Sequence, residues 1–120
     1  MSPKRPYSHW RRAGEFVVIS GQLGVVPDAP PATFVEGGAA AELRQALANA
    51  KLVLEEGGAT LANVVKATLF LVDMMDFDAC NEVWLDTFSD PLPTRSCVAV
   101  AQLPLGAKAE VELWAYAPED

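Results

Sequence analysis

This chain is short of the residues that metal, redox and nucleic-acid chemistry call for. It has one histidine, His9, and two cysteines, Cys80 and Cys97, outside any Cys-x-x-Cys spacing. One imidazole and two scattered thiols are too little for a convincing zinc site. They suit two free thiols in a reducing cytoplasm. With a single histidine there is also no histidine pair to cleave RNA. Cations are scarce: 9 Lys and Arg stand against 16 Asp and Glu, a net charge of −7. That charge repels phosphate backbones, so nucleic acid is not expected as a partner. No uninterrupted apolar run approaches the ~18–20 residues a membrane span needs. Lys4 and Arg5 are not followed by an apolar segment, so no signal peptide is expected. The basic residues that cluster, Lys4, Arg5, Arg11 and Arg12, read as a solvated surface, with a small anion patch as the sharper alternative.

What is present is an ordinary globular composition, 51% hydrophobic over 120 residues, which predicts one domain with a moderate core. Residues 7–13 and 15–20 flank a turn at Ala13-Gly14 and read as a hairpin. Phe16 to Ile19 is apolar throughout, as expected of a central strand. Pro27 to Pro31 reads as a loop. Ala39 to Glu56 predicts a helix, with Leu43, Ala46, Leu47, Ala50, Val53 and Leu54 on one stripe and Glu42 on the polar remainder. Gly57-Gly58 stops it. Val64 to Val72 predicts a buried strand. A second helix, capped by Asp76 and running to Phe88, carries Phe77, Cys80, Trp84 and Phe88 as its apolar stripe. The order is hairpin, helix, strand, helix, strand, strand: an α+β layout, a mixed sheet with two helices on one face.

The most informative stretch is Pro93 to Pro104, followed by the alternating run Lys108 to Tyr116. Arg95 and Cys97 stand two apart on one strand; Glu110 and Glu112 stand two apart on the next. An arginine fork grips a carboxylate with two parallel hydrogen bonds, and a glutamate nearby can take a proton from water. Residues 103–107 read as a hairpin loop. Pairing the two strands so that Val98 and Val100 share a face with Val111 and Leu113 places Arg95 and Cys97 on the face of both glutamates. Two helices then leave that face uncovered, with Arg95, Cys97, Ala99, Ala101, Trp114 and Tyr116 on it. So apolar a mixture predicts an oligomer that packs these faces together. Plainer roles stand beside these. Arg95 could be a structural ion-pair partner of Glu110 or Glu112. Cys97 reads as a pocket wall rather than a nucleophile, Asn81 as the maker of a local hydrogen bond, and Cys80, Trp84 and Phe88 as core.

The chain resembles the RidA family (YjgF/YER057c/UK114), small cytoplasmic imine deaminases. The hallmark is Pro93-Thr94-Arg95-Ser96-Cys97-Val98 with Leu103-Pro104 and Glu110 downstream. Pro6-Tyr7-Ser8, Val18-Ile19-Ser20-Gly21-Gln22, Arg44 to Asn49, Val64 to Leu71, Asp76-Phe77 and Asn81-Glu82-Val83 fall at family positions too. The resemblance implies a single domain over residues 1–120 with a chorismate-mutase-like α+β fold. It implies a homotrimer whose sheets line a barrel, with sites at subunit interfaces. It also implies hydrolysis of reactive 2-imino acids or their enamine tautomers to 2-keto acids and ammonia, with no cofactor. Carried onto this sequence, Arg95 and Glu110 are the catalytic pair, Arg95 holding the carboxylate and Glu110 handling the water. Cys97, Tyr7, Ser20 and Gly21 complete the substrate pocket, with Glu112 as the fallback acid. Arg5 replaces a frequent glycine, Ala99 and Gln102 replace a frequent glutamate and arginine, and His9-Trp10 replaces smaller or polar residues. Two further readings stand beside the deaminase: a non-catalytic small-carboxylate binding or regulatory trimer, and an RNA-cleaving protein, which the acidic charge and single histidine oppose.

Overall fold

A computed structural model describes residues 5–119, and Lys4 of the basic cluster lies outside the described residues. Strands β1 (Trp10–Ala13) and β2 (Phe16–Ile19) form the expected hairpin, Trp10 facing Ile19 and Ala13 facing Phe16. Gly14 turns it with φ of 58°, a backbone region open to glycine at little steric cost. The two-residue strand β3 (Gln22–Leu23) follows, too short to leave a periodic signal in the sequence. Helix α1 (Gly38–Glu56) matches its prediction to one residue. Strand β4 (Val64–Leu71), helix α2 (Phe77–Thr87), strand β5 (Thr94–Ala99) and strand β6 (Ala109–Tyr116) complete the chain. Asp76 does not cap α2 with its side chain. Asp73 does the capping one turn earlier, accepting a 2.9 Å hydrogen bond from the Met75 amide at the head of a short 3₁₀ turn.

The sheet runs β1-β2-β6-β4-β5, with β3 also paired to β6. This corrects the expected hairpin between the last two strands. β4 lies between them, antiparallel to β6 and parallel to β5. Parallel neighbours need a crossover, and α2 supplies it between β4 and β5. The segment after β5 then arches across the end of β4: the Val100 amide donates to the Leu71 carbonyl at 2.8 Å, and the Val72 amide to the Lys108 carbonyl at 3.2 Å. The run that read as a hairpin loop is the span over an intervening strand.

The mispairing also put residues on the wrong face. Ala67 on β4 is level with Arg95 on β5 and Leu113 on β6; Leu69 is level with Cys97 and Val111. Ala67, Leu69, Leu71, Val111 and Leu113 are buried against the helices, so Arg95 and Cys97 face the helices as well. Phe70 is level with Val98 and Glu110, and those three belong to the opposite face. The helix side forms one core with Leu43, Leu47, Leu54, Cys80, Val83, Trp84 and Phe88. On the other side Trp114 and Tyr116 are each 43% exposed and Val98 41%. The expectation of a partly apolar face without helices therefore holds for Trp114 and Tyr116, and fails for Arg95, Cys97 and Ala99, the last level with buried Leu71.

Two charged residues do structural work that the sequence pattern hid. Glu42, expected on the polar side of α1, is buried, and its Oε1 accepts a 2.8 Å hydrogen bond from the Lys108 amide, fixing the entry to β6. Arg12 donates to the carbonyls of Ala117 at 2.8 Å and Gly57 at 3.1 Å and pairs with Glu119 at 3.2 Å. It fastens β1 to the end of α1 and to the chain beyond β6.

Candidate active site

The expected residues fall into two groups on opposite sides of the sheet. The first is built around Arg95. Its Nη2 donates a 2.8 Å hydrogen bond to Oδ1 of Asn81 on α2. Its guanidinium carbon lies 5.0 Å from the ring centre of Trp84 and 5.6 Å from that of Phe77, within cation–π range. Residues 77, 81 and 84 share one face of α2 because they are three and four apart, and β5 presents Arg95 to that face. Cys97, two residues along β5, is part-buried against the core. Burial raises the thiol pKa while Arg95 pulls it down. Cys80, on α2 behind it, is pushed up to about 11 by burial above all, with Asp76 and Cys97 adding. Neither thiol is activated by its surroundings, since burial dominates and pushes both toward the protonated form.

Arg95 has no carboxylate within salt-bridge distance among the described residues. The structural ion pair with Glu110 or Glu112 does not exist within one chain. A guanidinium offers five N–H donors, and Asn81 takes one. No other hydrogen bond from this guanidinium is made among the described residues.

The second group surrounds Glu110. Gly21, in the link from β2 to β3, lies directly against this side chain: a Cβ built there would come 2.3 Å from Glu110 Oε2 and 2.8 Å from Cδ. A residue with any side chain would displace the carboxylate. Burial raises the Glu110 pKa, and the like charge of Glu112 raises it further. Ser20, beside Gly21, anchors the segment that carries Tyr7: its hydroxyl donates to the Ser8 carbonyl at 2.6 Å and its amide to the His9 carbonyl at 3.0 Å. Tyr7 itself is exposed and, with Arg5, Pro6 and Ser8, lines an open hollow. The Arg5 guanidinium contacts the His9 ring, so two of the departures from the family pattern touch each other beside Tyr7. Ala99 and Gln102 are exposed at and after the end of β5. A smaller cleft of about 150 Å³ beside Pro91 and Pro93 includes neither Arg95 nor Glu110.

Arg95 and Cys97 thus share the helix-side face of β5, and Gly21 meets Glu110 on the other face; Ser20 ties the Ser8–His9 backbone beside Gly21, and Tyr7 lies in the hollow with Arg5, Pro6 and Ser8. The sequence reading missed Asn81, Trp84 and Phe77 as partners of Arg95. Their three- and four-residue spacing is visible in the sequence and predicts a helix stripe and a local hydrogen bond. What was hidden was the parallel β4–β5 pairing that brings Arg95 under α2.

This is an α+β protein whose candidate site has two parts, an arginine held by an amide and two rings and a part-buried carboxylate. The chain belongs to the RidA (YjgF/YER057c/UK114) family: the family described as endoribonuclease L-PSP matches residues 1–117. A RutC family protein of Pyrococcus horikoshii is 39% identical over 114 residues, 95% of this chain and 89% of the relative. A 2-iminobutanoate/2-iminopropanoate deaminase of Capra hircus is 40% identical over 107 residues, 89% of this chain and 77% of the relative. Among solved structures, RidA from an Antarctic Psychrobacter superimposes with a TM-score of 0.86 at 36% identity, over 96% of this chain and 91% of that one. Yeast Mmf1 gives 0.87 at 36% identity, over 98% and 90%. No helix among the described residues is long and apolar enough to cross a membrane.

Proposed function

We propose that the protein hydrolyses reactive 2-imino acids, or their enamine tautomers, to 2-keto acids and ammonia. The observation that carries the reading is Arg95: part-buried, oriented by an amide and two rings, and without an acid partner among the described residues. Such a group is a receptor for a carboxylate. Relatives at 38–40% identity that carry the deaminase name support the same reaction. In it Arg95 binds the substrate carboxylate and holds the neighbouring imine carbon in place. Glu110, once ionised, accepts a proton from water as the oxygen bonds to that carbon. Proton transfer to nitrogen then lets the C–N bond break and ammonia leave, with C=O replacing C=N. Imines hydrolyse readily, so positioning and modest proton transfer suffice. Cys97 walls the pocket, and Tyr7, held by Ser20, closes it.

Because Arg95 and Glu110 occupy opposite faces of one sheet, the working site takes Arg95 from one copy and Glu110 from the next. The uncovered face with Val98, Trp114 and Tyr116 is the surface such copies would bury, and a homotrimeric barrel joining those faces accommodates three equivalent sites. The separation equally favours a second reading, a trimer that only binds small carboxylates through Arg95. The endoribonuclease of the family's description suits this chain less, given its net charge of −7 and single histidine.

The test follows the decay of freshly generated 2-iminopropanoate with a chemical trap. Acceleration by wild type and its loss in Arg95→Ala are expected; no acceleration, or full activity in Arg95→Ala, refutes the deaminase. Mixing Arg95→Ala and Glu110→Gln chains after unfolding should restore roughly a quarter of the sites if neighbouring copies share them. No recovery refutes the sharing.

A further inference from the structure

The aromatic floor under Arg95 has no role in the reaction as drawn, yet it is the most closely specified surface around that side chain. Trp84 is 4% exposed. Phe88 tilts against it, ring centres 4.7 Å apart at 40°, so the indole is locked by the core and cannot follow a moving arginine. The Arg95 guanidinium lies over the indole at 5.0 Å and over Phe77 at 5.6 Å, while Asn81 takes one N–H at 2.8 Å. Indole gives the strongest cation–π attraction of the side chains, and a guanidinium can lie flat on it in a way that an ammonium cannot.

We propose that Trp84, with Phe77, is a positioning residue for carboxylate binding: the two rings fix the plane of the Arg95 guanidinium before substrate arrives. The inference rests on the reading of Arg95 as a carboxylate receptor and adds what prepares it. A solvent-exposed arginine loses rotamer freedom when it grips a ligand. One already stacked on a rigid indole has lost that freedom on folding, so substrate binds more tightly for the same two hydrogen bonds. The effect falls on binding far more than on the chemical step, because the rings touch neither the imine carbon nor the water.

The experiment measures the Kd for 2-oxobutanoate by calorimetry, and KM and kcat for 2-iminopropanoate, on wild type, Trp84→Phe, Trp84→Leu and Phe77→Leu, with folding checked by circular dichroism. Trp84→Leu is expected to raise Kd and KM about tenfold with kcat within about twofold, and Trp84→Phe to stay within about threefold. Phe77→Leu falls between them and serves if Trp84→Leu does not fold. In an Arg95→Lys background the same Trp84 or Phe77 change adds no more than about twofold, since a planar cation is no longer there to be aligned. Unchanged Kd in the folded variants, or an equal loss in both backgrounds, overturns the proposal. If wild type binds 2-oxobutanoate but hydrolyses no imine, the deaminase reading falls and the cradle is still decided by Kd. If wild type binds no small carboxylate, both fall.

Discussion

Replacing Gly21 by alanine separates the acid–base half of the site from the fold. The added methyl would sit 2.3 Å from Glu110 Oε2, 2.8 Å from Cδ and 3.2 Å from Cγ. A normal non-bonded separation is near 3.5 Å, so the carboxylate has to retreat by about 1 Å. The obstacle is the far end of a side chain, not backbone, so the fold absorbs the change at a cost below about 1 kcal/mol. The reaction does not: a misplacement of about 1 Å costs roughly 100-fold, equivalent to about 2.7 kcal/mol of transition-state stabilisation. The assay pairs thermal melting with the kcat for trapped 2-iminopropanoate and the Kd for 2-oxobutanoate. The melting point should move by only a few degrees and the Kd, set by Arg95, should hardly change, while kcat collapses. Activity within twofold of wild type refutes the placement of Glu110 beside the water. Global unfolding refutes the claim that only a side-chain tip is in the way.

Glu112→Gln removes the like charge that helps raise the Glu110 pKa, so the acid limb of the kcat profile should move to lower pH, and Glu110→Gln should abolish that limb; an unmoved limb refutes Glu110 as the base. Folding stability responds to the same shift with the opposite sign. A carboxyl whose pKa is raised above its ordinary value of 4.5 favours the folded state at acid pH, and that contribution is lost as pH climbs through the folded-state pKa. Asn81→Asp places a carboxylate on Arg95 where the 2.8 Å amide bond now lies; KM should rise at least about tenfold by competition for the fork, and an unchanged KM refutes Arg95 as the grip. Leu69→Ala, at a fully buried β4 position, should cost about 2–5 kcal/mol in urea unfolding, and a loss under 1 kcal/mol refutes its place at the centre of the core. Cys80, with its thiol pKa near 11, should resist aromatic-disulfide reagents at pH 8 until the protein is unfolded, and fast labelling of the folded chain refutes its burial.

Local pattern carried most of the secondary structure. The stripe from Leu43 to Leu54 and the Gly57-Gly58 stop placed α1, and Gly14 placed the first hairpin, because those signals act within a few residues. Pairing does not. Val98 and Val100 alternate with Arg95 and Cys97 in a way that fits either face, and only the insertion of β4 decides that Val98 joins Glu110 while Arg95 joins Trp84. The expectation that Arg95 and Glu110 share a face therefore failed on topology, not on residue chemistry. Glu42 was illegible for a related reason: its partner is a backbone amide 66 positions away, which no helical periodicity announces. Gly21 was named for its pocket position, but its physical requirement, contact with a carboxylate on β6, appears only in three dimensions.

The three-way grip of Arg12 has a practical corollary for anyone handling the polypeptide. Its guanidinium spends its donors on the Ala117 and Gly57 carbonyls and meets the Glu119 side chain, so the first hairpin is latched by the segment that follows β6. Trimming back past Ala117 removes two of the three acceptors of this part-buried cation and leaves only the Gly57 carbonyl, so fraying should begin at Trp10–Ala13, the edge of the sheet opposite β5.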